Sequence, residues 1–217
     1  MTQTDSEKRF PGRIAVMGGG SWATALAKLL LKKCDSILWY MRRDDRIEEF
    51  QRLGHNPAYL TDVTFDINRI EFSSDINEVA TKADTLLLVM PSPYFKSHME
   101  KLTADISDKH IVLFSCGLAD PEDPENVAHI ESGLEKVLTP EMRGKIKQFH
   151  LRGGIDYSHL GLKHRAMMAM LRRVMLKKGY DNLRGEDQMM LDTYGGTVDF
   201  TDRVSLAPLL NYVRALS

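Results

Sequence analysis

The residues of this 217-residue chain best placed to do chemistry are Gly18-Gly19-Gly20-Ser21-Trp22-Ala23. They fit the spacing G-x-G-x-x-G/A, and they stand between a compact apolar run, Arg13 to Met17, and a stretch with helical apolar spacing. In that setting each small residue has a role. Gly18 makes a tight turn, Gly20 lets the backbone approach a pyrophosphate, and Ala23 keeps the helix close to a sheet. The start of a helix also carries N–H groups without intrahelical partners, so an anion is attracted there. The chemistry implied is the binding of a dinucleotide; a glycine-rich turn with no ligand is the plainer alternative.

A site of this type ordinarily holds a ribose 2′-hydroxyl with an acidic side chain at the end of the second strand. Here Met41-Arg42-Arg43 stands at that point, followed by Asp44 and Asp45. Arg42 or Arg43 can pair with a 2′-phosphate or stack on adenine. Both can equally be solvated residues at a helix entrance, so NAD and NADP stay open. Other reactive groups are isolated. Cys116 ends an apolar run with no histidine pattern beside it, the setting of an inert thiol more than of a nucleophile. The seven histidines show neither H-E-x-x-H nor Cys/His ligand spacing, so no metal site is expected. Glu122, Asp123 and Glu125 form an acidic loop that would repel phosphate. No catalytic residue is nominated.

The elements that must position these groups alternate. Apolar runs predict strands at 13–17, 36–41, 69–73, 85–90, 111–116 and 145–151. Helical spacing predicts helices at 21–33, 44–53, 76–82, 95–106, 124–138, 163–178, 186–194 and 204–216. Ser21, Asp75 and Asp123 are the expected caps, with Pro124 at a first helical position. The run Thr85 to Met90 is apolar on both faces, as a strand covered by helices must be. The class is therefore α/β, one doubly wound parallel sheet of about six strands in three α/β/α layers. A polar tail at 1–10 precedes one α/β domain over 11–217, without a repeat or linker. In Lys163 to Lys178, apolar Met167, Met168, Met170, Leu171, Val174 and Met175 alternate with six cations. Its place in the fold favours a sheet-covering helix with a cationic outer face over a membrane-surface or partner-binding helix.

Composition narrows the function classes. Lys+Arg 29 against Asp+Glu 30 leaves a net charge of −1, so no basic field draws the chain onto nucleic acid. With 43% hydrophobic residues a sizeable core is available. Cys34 and Cys116 show no pairing pattern and suggest a reducing compartment. Met1 to Arg9 is too polar for a signal peptide, and no apolar run approaches the roughly 20 residues that span a bilayer. A soluble, cytoplasmic protein is expected.

The stretch Ile14-Ala15-Val16-Met17-Gly18-Gly19-Gly20-Ser21-Trp22-Ala23-Thr24-Ala25-Leu26-Ala27 resembles the opening of bacterial NAD(P)-dependent glycerol-3-phosphate dehydrogenase. Trp39 to Arg42, His55-Asn56-Pro57-Ala58-Tyr59-Leu60, Ser74-Asp75-Ile76 and Val89-Met90-Pro91-Ser92 follow in the order of that family's W-x-R, N-x-x-Y-L, T/S-D and V-P-S elements. The likeness covers about residues 11–112. It implies a Rossmann-type half with NAD or NADP held by Gly18, Gly19, Gly20, Ser21, Trp22, Ala23, Arg42, Arg43, Pro91 and Ser92. After its next strand the family carries a catalytic lysine followed by glycine, then a helical domain with a second catalytic lysine and the residues for the substrate phosphate. This chain has Cys116-Gly117 at the first point, and nothing after residue 117 resembles that domain.

Val112 to Asn126, and Phe149 to Ser158 followed by His164-Arg165-Ala166-Met167-Met168, are similar to the C-terminal half of flavodoxin-domain proteins related to menaquinone-dependent protoporphyrinogen oxidase. The chain thus reads as a hybrid joined near residues 109–117. A dehydrogenase-like half, 11–110, and a flavodoxin-like half, 111–217, would share one sheet in the order 3-2-1-4-5-6. The FMN phosphate loop of the second family is replaced by the turn Gly18 to Ala23, which argues against FMN. Three functions follow. The leading one is an NAD(P)-binding protein of glycerol-3-phosphate dehydrogenase ancestry, with weakened binding and incomplete dehydrogenase chemistry. The others are a hybrid or designed scaffold without ligand or activity, and an FMN-dependent electron carrier. A dinucleotide is the one partner expected, and the oligomeric state stays open.

Overall fold

The computed structural model of the chain describes residues 12–89, 92–136, 138–183 and 185–215; the polar tail expected at 1–10 lies outside them. Strands and helices alternate as β1 (Ile14–Met17), α1 (Ser21–Leu30), β2 (Ile37–Tyr40), α2 (Asp44–Leu53), β3 (Ile70–Ser73), α3 (Ile76–Lys82), β4 (Thr85–Leu88), α4 (Ser92–Met99), β5 (His110–Gly117), α5 (Pro124–Glu135), α6 (Pro140–Lys145) and β6 (Ile146–Arg152). The six strands form one parallel sheet in the order β3-β2-β1-β4-β5-β6, the doubly wound α/β architecture expected from the alternation. The order reverses between β1 and β4, and a crevice opens at the carboxyl ends of such strands.

The chain gathers into two compact units. The first holds the residues up to Phe114, Leu134–Phe149 and those from Leu209 onward. Its core lies on both faces of the sheet because strand side chains alternate. Ala15, Met17, Leu38, Tyr40, Leu86 and Leu88 pack with Val79 and Ala80 of α3 on one face. Ile14, Val16, Ile37, Trp39 and Leu87 pack with Ala23 and Ala27 of α1 and Phe50 of α2 on the other. Trp39 is the centre of that second face, with its ring 5.2 Å from Phe50 and 5.6 Å from both Phe65 and Phe72.

Local signals set the helix ends. Asp75 accepts hydrogen bonds from the N–H groups of Asn77 and Glu78 and caps α3 as expected, and Asp123 caps α5 by accepting from the Glu125 N–H at 2.9 Å. Ser21 is not a cap. Gly20 takes that position without a side-chain bond, and Ser21 is the first helical residue. Helix α4 begins at Ser92 rather than 95, since Pro93 sits in its first turn, where a missing N–H removes no helical bond, and it ends at Met99 rather than 106. The short α6, capped by Thr139, has too little apolar spacing for sequence periodicity to reveal.

The second unit holds Ser115–Gly133 and His150–Pro208. It adds β7 (Gly154–Asp156), α7 (Leu162–Lys178), α8 (Gly185–Asp192) and β8 (Thr197–Asp199), and α9 (Ala207–Ala215) follows. β7 and β8 form a separate antiparallel ribbon, which corrects the expectation that the chain makes one sheet alone. A Cβ on Gly154 would stand 2.5 Å from the Val198 carbonyl oxygen, so the two strands approach only because residue 154 is glycine. Arg152 fixes this unit by donating to the Leu118 carbonyl at 3.0 Å and to Asp120 at 3.1 Å while stacking 3.8 Å from the Phe200 ring centre. Helix α7 packs on α8 and on the turn Tyr180–Asn182. Met175 is its buried side chain, whereas Met167, Met170, Leu171 and Val174 are exposed. Its apolar face is therefore not buried within the second unit.

Candidate functional site

β1 delivers the chain into Gly18, whose φ of +143° belongs to the region that favours glycine. Its N–H donates to the Tyr40 carbonyl at 3.1 Å, and its carbonyl accepts from Trp39 Nε1 at 2.6 Å. The end of β2 thus holds both backbone polar groups of Gly18, one in each of the two peptide units that flank its Cα. Gly19 is a close approach, since a Cβ there would lie 3.2 Å from Met41 Cε. Gly20 differs. Its backbone is extended, with φ −85°, and a Cβ would meet nothing within 4 Å. Neither conformation nor packing in the chain asks for glycine at position 20, so the space before it stays open to an incoming group.

That space faces the N-terminus of α1, which has no side-chain cap and no acidic residue in its first turn. Its orphan N–H groups and positive dipole end favour an anion. The floor beneath is tied by a chain of hydrogen bonds. The Thr24 hydroxyl donates to the Gly20 carbonyl at 2.9 Å, which commits its one proton. Asn56 Nδ2 then donates to Thr24 Oγ1 at 2.8 Å and to the Gly19 carbonyl at 3.3 Å. Asn56 Oδ1 accepts from the N–H groups of Ala58 and Tyr59 at 3.0 and 3.2 Å. Asn56 is 1% exposed and fastens the loop after α2 to the glycine turn. Asn56 and Trp39 both fall within stretches that carry the family resemblance, yet sequence reasoning places neither in the site. The signal for Asn56 is an Asn before Pro, a residue type that turns on its own downstream N–H groups.

The other expected site residues divide. Ala23 is fully buried and lies against the sheet, as close helix packing requires. Trp22 is 46% exposed and stands edge-on to Phe114 at 6.2 Å. Arg42 and Arg43 follow β2 directly and are exposed. Arg43 is the N-cap residue of α2 and its guanidinium forks onto Asp45, with Nε 2.8 Å from Oδ1, which holds that carboxyl below its ordinary range. Ser92 opens α4 just after β4, the strand beside β1. Pro91 lies outside the described residues.

The second unit holds the remaining candidates. Burial pushes the Cys116 thiol up, away from the thiolate a nucleophile needs. A Cβ on Gly153 would stand 2.9 Å from its sulfur. His150 Nδ1 lies 2.8 Å from Ser115 Oγ, and burial pulls its pKa down against the opposing charge of Glu131. The loop Gly117 to Glu125, which in a flavodoxin-like half would by position border the flavin ring, is closed on itself. Asp120 accepts from the Glu122 N–H and from Arg152, and Asn126 donates to the Asp120 carbonyl. Among the described residues no three His, Cys, Asp or Glu side chains converge as for a metal. No described helix is long and apolar enough to cross a membrane.

Residues 13–144 match the family model described as the NAD-dependent glycerol-3-phosphate dehydrogenase N-terminus. The match runs past residue 112, where the sequence resemblance was expected to stop, so the boundary placed at 109–117 falls inside it. Similar relatives include the glycerol-3-phosphate dehydrogenase [NAD(P)+] of Prosthecochloris aestuarii, 39% identical over 89 residues, 41% of this chain and 26% of that one. That of Syntrophotalea carbinolica is 36% identical over 128 residues, 59% of this chain and 37% of that one. That of Lysinibacillus sphaericus is 29% identical over 118 residues, 54% and 35%. The chain spans about a third of the length of the curated relatives it matches.

Proposed function

The chain belongs to the family of the NAD-dependent glycerol-3-phosphate dehydrogenase N-terminus, and on that premise we propose that it binds NAD(H) or NADP(H) with the pyrophosphate on Gly18 to Ala23. One observation carries the reading: position 20 is glycine although the fold leaves its Cβ direction empty. A bound dinucleotide supplies the missing reason, because a side chain there would hold the pyrophosphate off the N–H donors of α1. Gly18 and Gly19 shape the turn, and Trp22 and Ala23 continue the donor row. Arg42 and Arg43 stand at the end of β2, where the adenosine ribose of such ligands lies. Pro91 and Ser92, after β4, would border the same crevice. Titration of the purified chain with NADH tests the reading, with Gly20→Val as the control. Binding that Gly20→Val abolishes supports it. Binding that survives Gly20→Val puts the ligand elsewhere, and no binding leaves a scaffold without ligand.

We also propose that the chain does not by itself oxidise glycerol 3-phosphate. Hydride transfer needs a proton acceptor as well as a cofactor. At the point where the resemblance implies a lysine, Cys116 is a thiol that burial holds protonated. Loss of one acid/base group costs about 10²- to 10⁴-fold. Formation of NADH or NADPH from glycerol 3-phosphate, above a no-enzyme control and abolished by Gly20→Val, would overturn this. The flavin reading gains no support from the self-closed loop Gly117 to Glu125, and a colourless purified protein is expected.

A further inference from the structure

Helix α7 contains Lys163, Arg165, Arg172, Arg173, Lys177 and Lys178 and no acidic residue in its 17 positions. A helix that packs on a sheet buries an apolar face, yet here Met167 is 58% and Met170 70% exposed, with Leu171 and Val174 exposed beside them. Those four recur at i, i+3, i+4 and i+7, so they form one continuous strip. Positions 163 and 178 fall at the two ends of the same strip by helical spacing, and 173 and 177 run along one edge. The helix is held to its own unit from a different side, through buried Met175 and its packing on α8. The strip therefore faces away from the packing on α8, with cationic positions at its two ends and along one edge. Positions 165 and 172 fall on the opposite side of the helix, where Arg172 stacks 5.0 Å from the Tyr194 ring centre and Arg165 donates to the Ser158 carbonyl at 3.1 Å.

We propose that α7 docks in plane on an anionic lipid surface, its Met167–Val174 strip entering the acyl boundary and Arg173, Lys177 and Lys178 beside it meeting the headgroups. Charge complementarity selects an anionic partner, because a run of six cations without an acid repels itself until counter-charge is supplied. The form of the apolar strip selects a lipid one. Protein interfaces concentrate their energy in aromatic anchors that fill pockets, and α7 has no Phe, Tyr or Trp. Unbranched methionines adapt to a fluid surface, and cations at the rim can reach phosphates while their stems cover apolar area. With Arg172 and Arg173 mid-helix, α7 lies on the bilayer and does not span it.

Flotation of the full chain with vesicles tests this, using phosphatidylcholine alone and phosphatidylcholine mixed with phosphatidylglycerol. The chain is expected to partition onto the mixed vesicles, to ignore the neutral ones, and to be released by high salt. Arg173→Glu/Lys177→Glu/Lys178→Glu should lower the partition by about a hundredfold. Met167→Ser/Met170→Ser should lower it at unchanged charge. Lys32→Glu/Lys101→Glu/Lys136→Glu, the same charge change at exposed positions in the first unit, should retain more of it than the α7 reversal. Circular dichroism and thermal unfolding establish that each variant is folded. Equal binding to both vesicle types, no binding to either, equal losses for the two charge reversals, or capture by poly-glutamate without vesicle binding would overturn the proposal. Vesicle binding does not depend on the glycine turn, so failure here leaves the dinucleotide reading standing, and the converse holds.

Discussion

Replacing Asn56 tests the architecture of the turn directly. Asn56→Ala deletes the two bonds that Oδ1 accepts from Ala58 and Tyr59. Both residues are exposed, so water takes over at a net cost of about 0.5–1.5 kcal/mol each. The same change removes the donor to Thr24 Oγ1. Thr24 is fully buried, and leaving its oxygen without that donor costs about 1–3 kcal/mol. The total is about 4 kcal/mol, or a fall in melting temperature of roughly 8–16 °C. Asn56→Asp separates loop anchoring from support of the turn. It keeps both acceptor contacts, but its second oxygen would face Thr24 Oγ1, whose proton is already given to Gly20, and the Gly19 carbonyl. It also sets a negative charge under the pyrophosphate position, where it is expected to weaken NADH binding by about tenfold or more. Thermal unfolding by circular dichroism and NADH titration read the two effects, with the expected order of affinity Asn, then Ala, then Asp. An aspartate variant close to the parent in both measurements would refute the hydrogen-bond argument.

Gly18→Ala should cost about 1–2 kcal/mol because of its positive φ, whereas Gly20→Ala should leave stability unchanged; equal losses in urea denaturation would contradict the conformational distinction. Arg42→Ala and Arg43→Ala should each lower affinity for NADPH about tenfold more than for NADH if a guanidinium meets the 2′-phosphate, and equal losses for both nucleotides would remove that role. Burial keeps the folded pKa of His150 below its ordinary 6.5, so the unfolded chain takes up the proton first. Stability should therefore be full above that value and fall as pH drops from about 6.5 through the lowered folded value. The slope should vanish in His150→Gln, and an unchanged slope in that variant would assign the effect to another group.

The sheet was legible chiefly through its inner strands, which are apolar runs covered on both faces, as Leu86 to Leu88 and Ile111 to Leu113 are; the edge strands β3 and β6 mix polar with apolar residues. Caps by Asp75 and Asp123 were legible because a side-chain oxygen two residues before a helical N–H is a local event. The ribbon of β7 and β8 was not. Each strand has three residues, too few for a period of two, and their pairing rests on the missing side chain of Gly154 against a carbonyl 44 residues later. The surface position of α7 was also hidden, since the same apolar spacing serves a buried face or an outward one. At the glycine turn the local spacing was visible, but the support was not: Trp39 and Asn56 reach it from 21 and 37 residues away in the chain.

The chain has two tryptophans, and the structure places them in opposite optical environments. Trp39 is sealed among three phenylalanines, with its indole N–H spent on Gly18. Trp22 stands half in solvent on the first turn of α1. One indole is therefore a fixed reference and the other a sensor. An acrylamide quencher should reach Trp22 first, and an oxidised dinucleotide seated on the turn should shield it while leaving the Trp39 emission in place. Reduced nicotinamide absorbs where indole emits, so energy transfer from both would add a distance-dependent signal. Occupancy of the turn can then be followed without a label, and Trp22→Phe should silence the shielding while preserving the transfer.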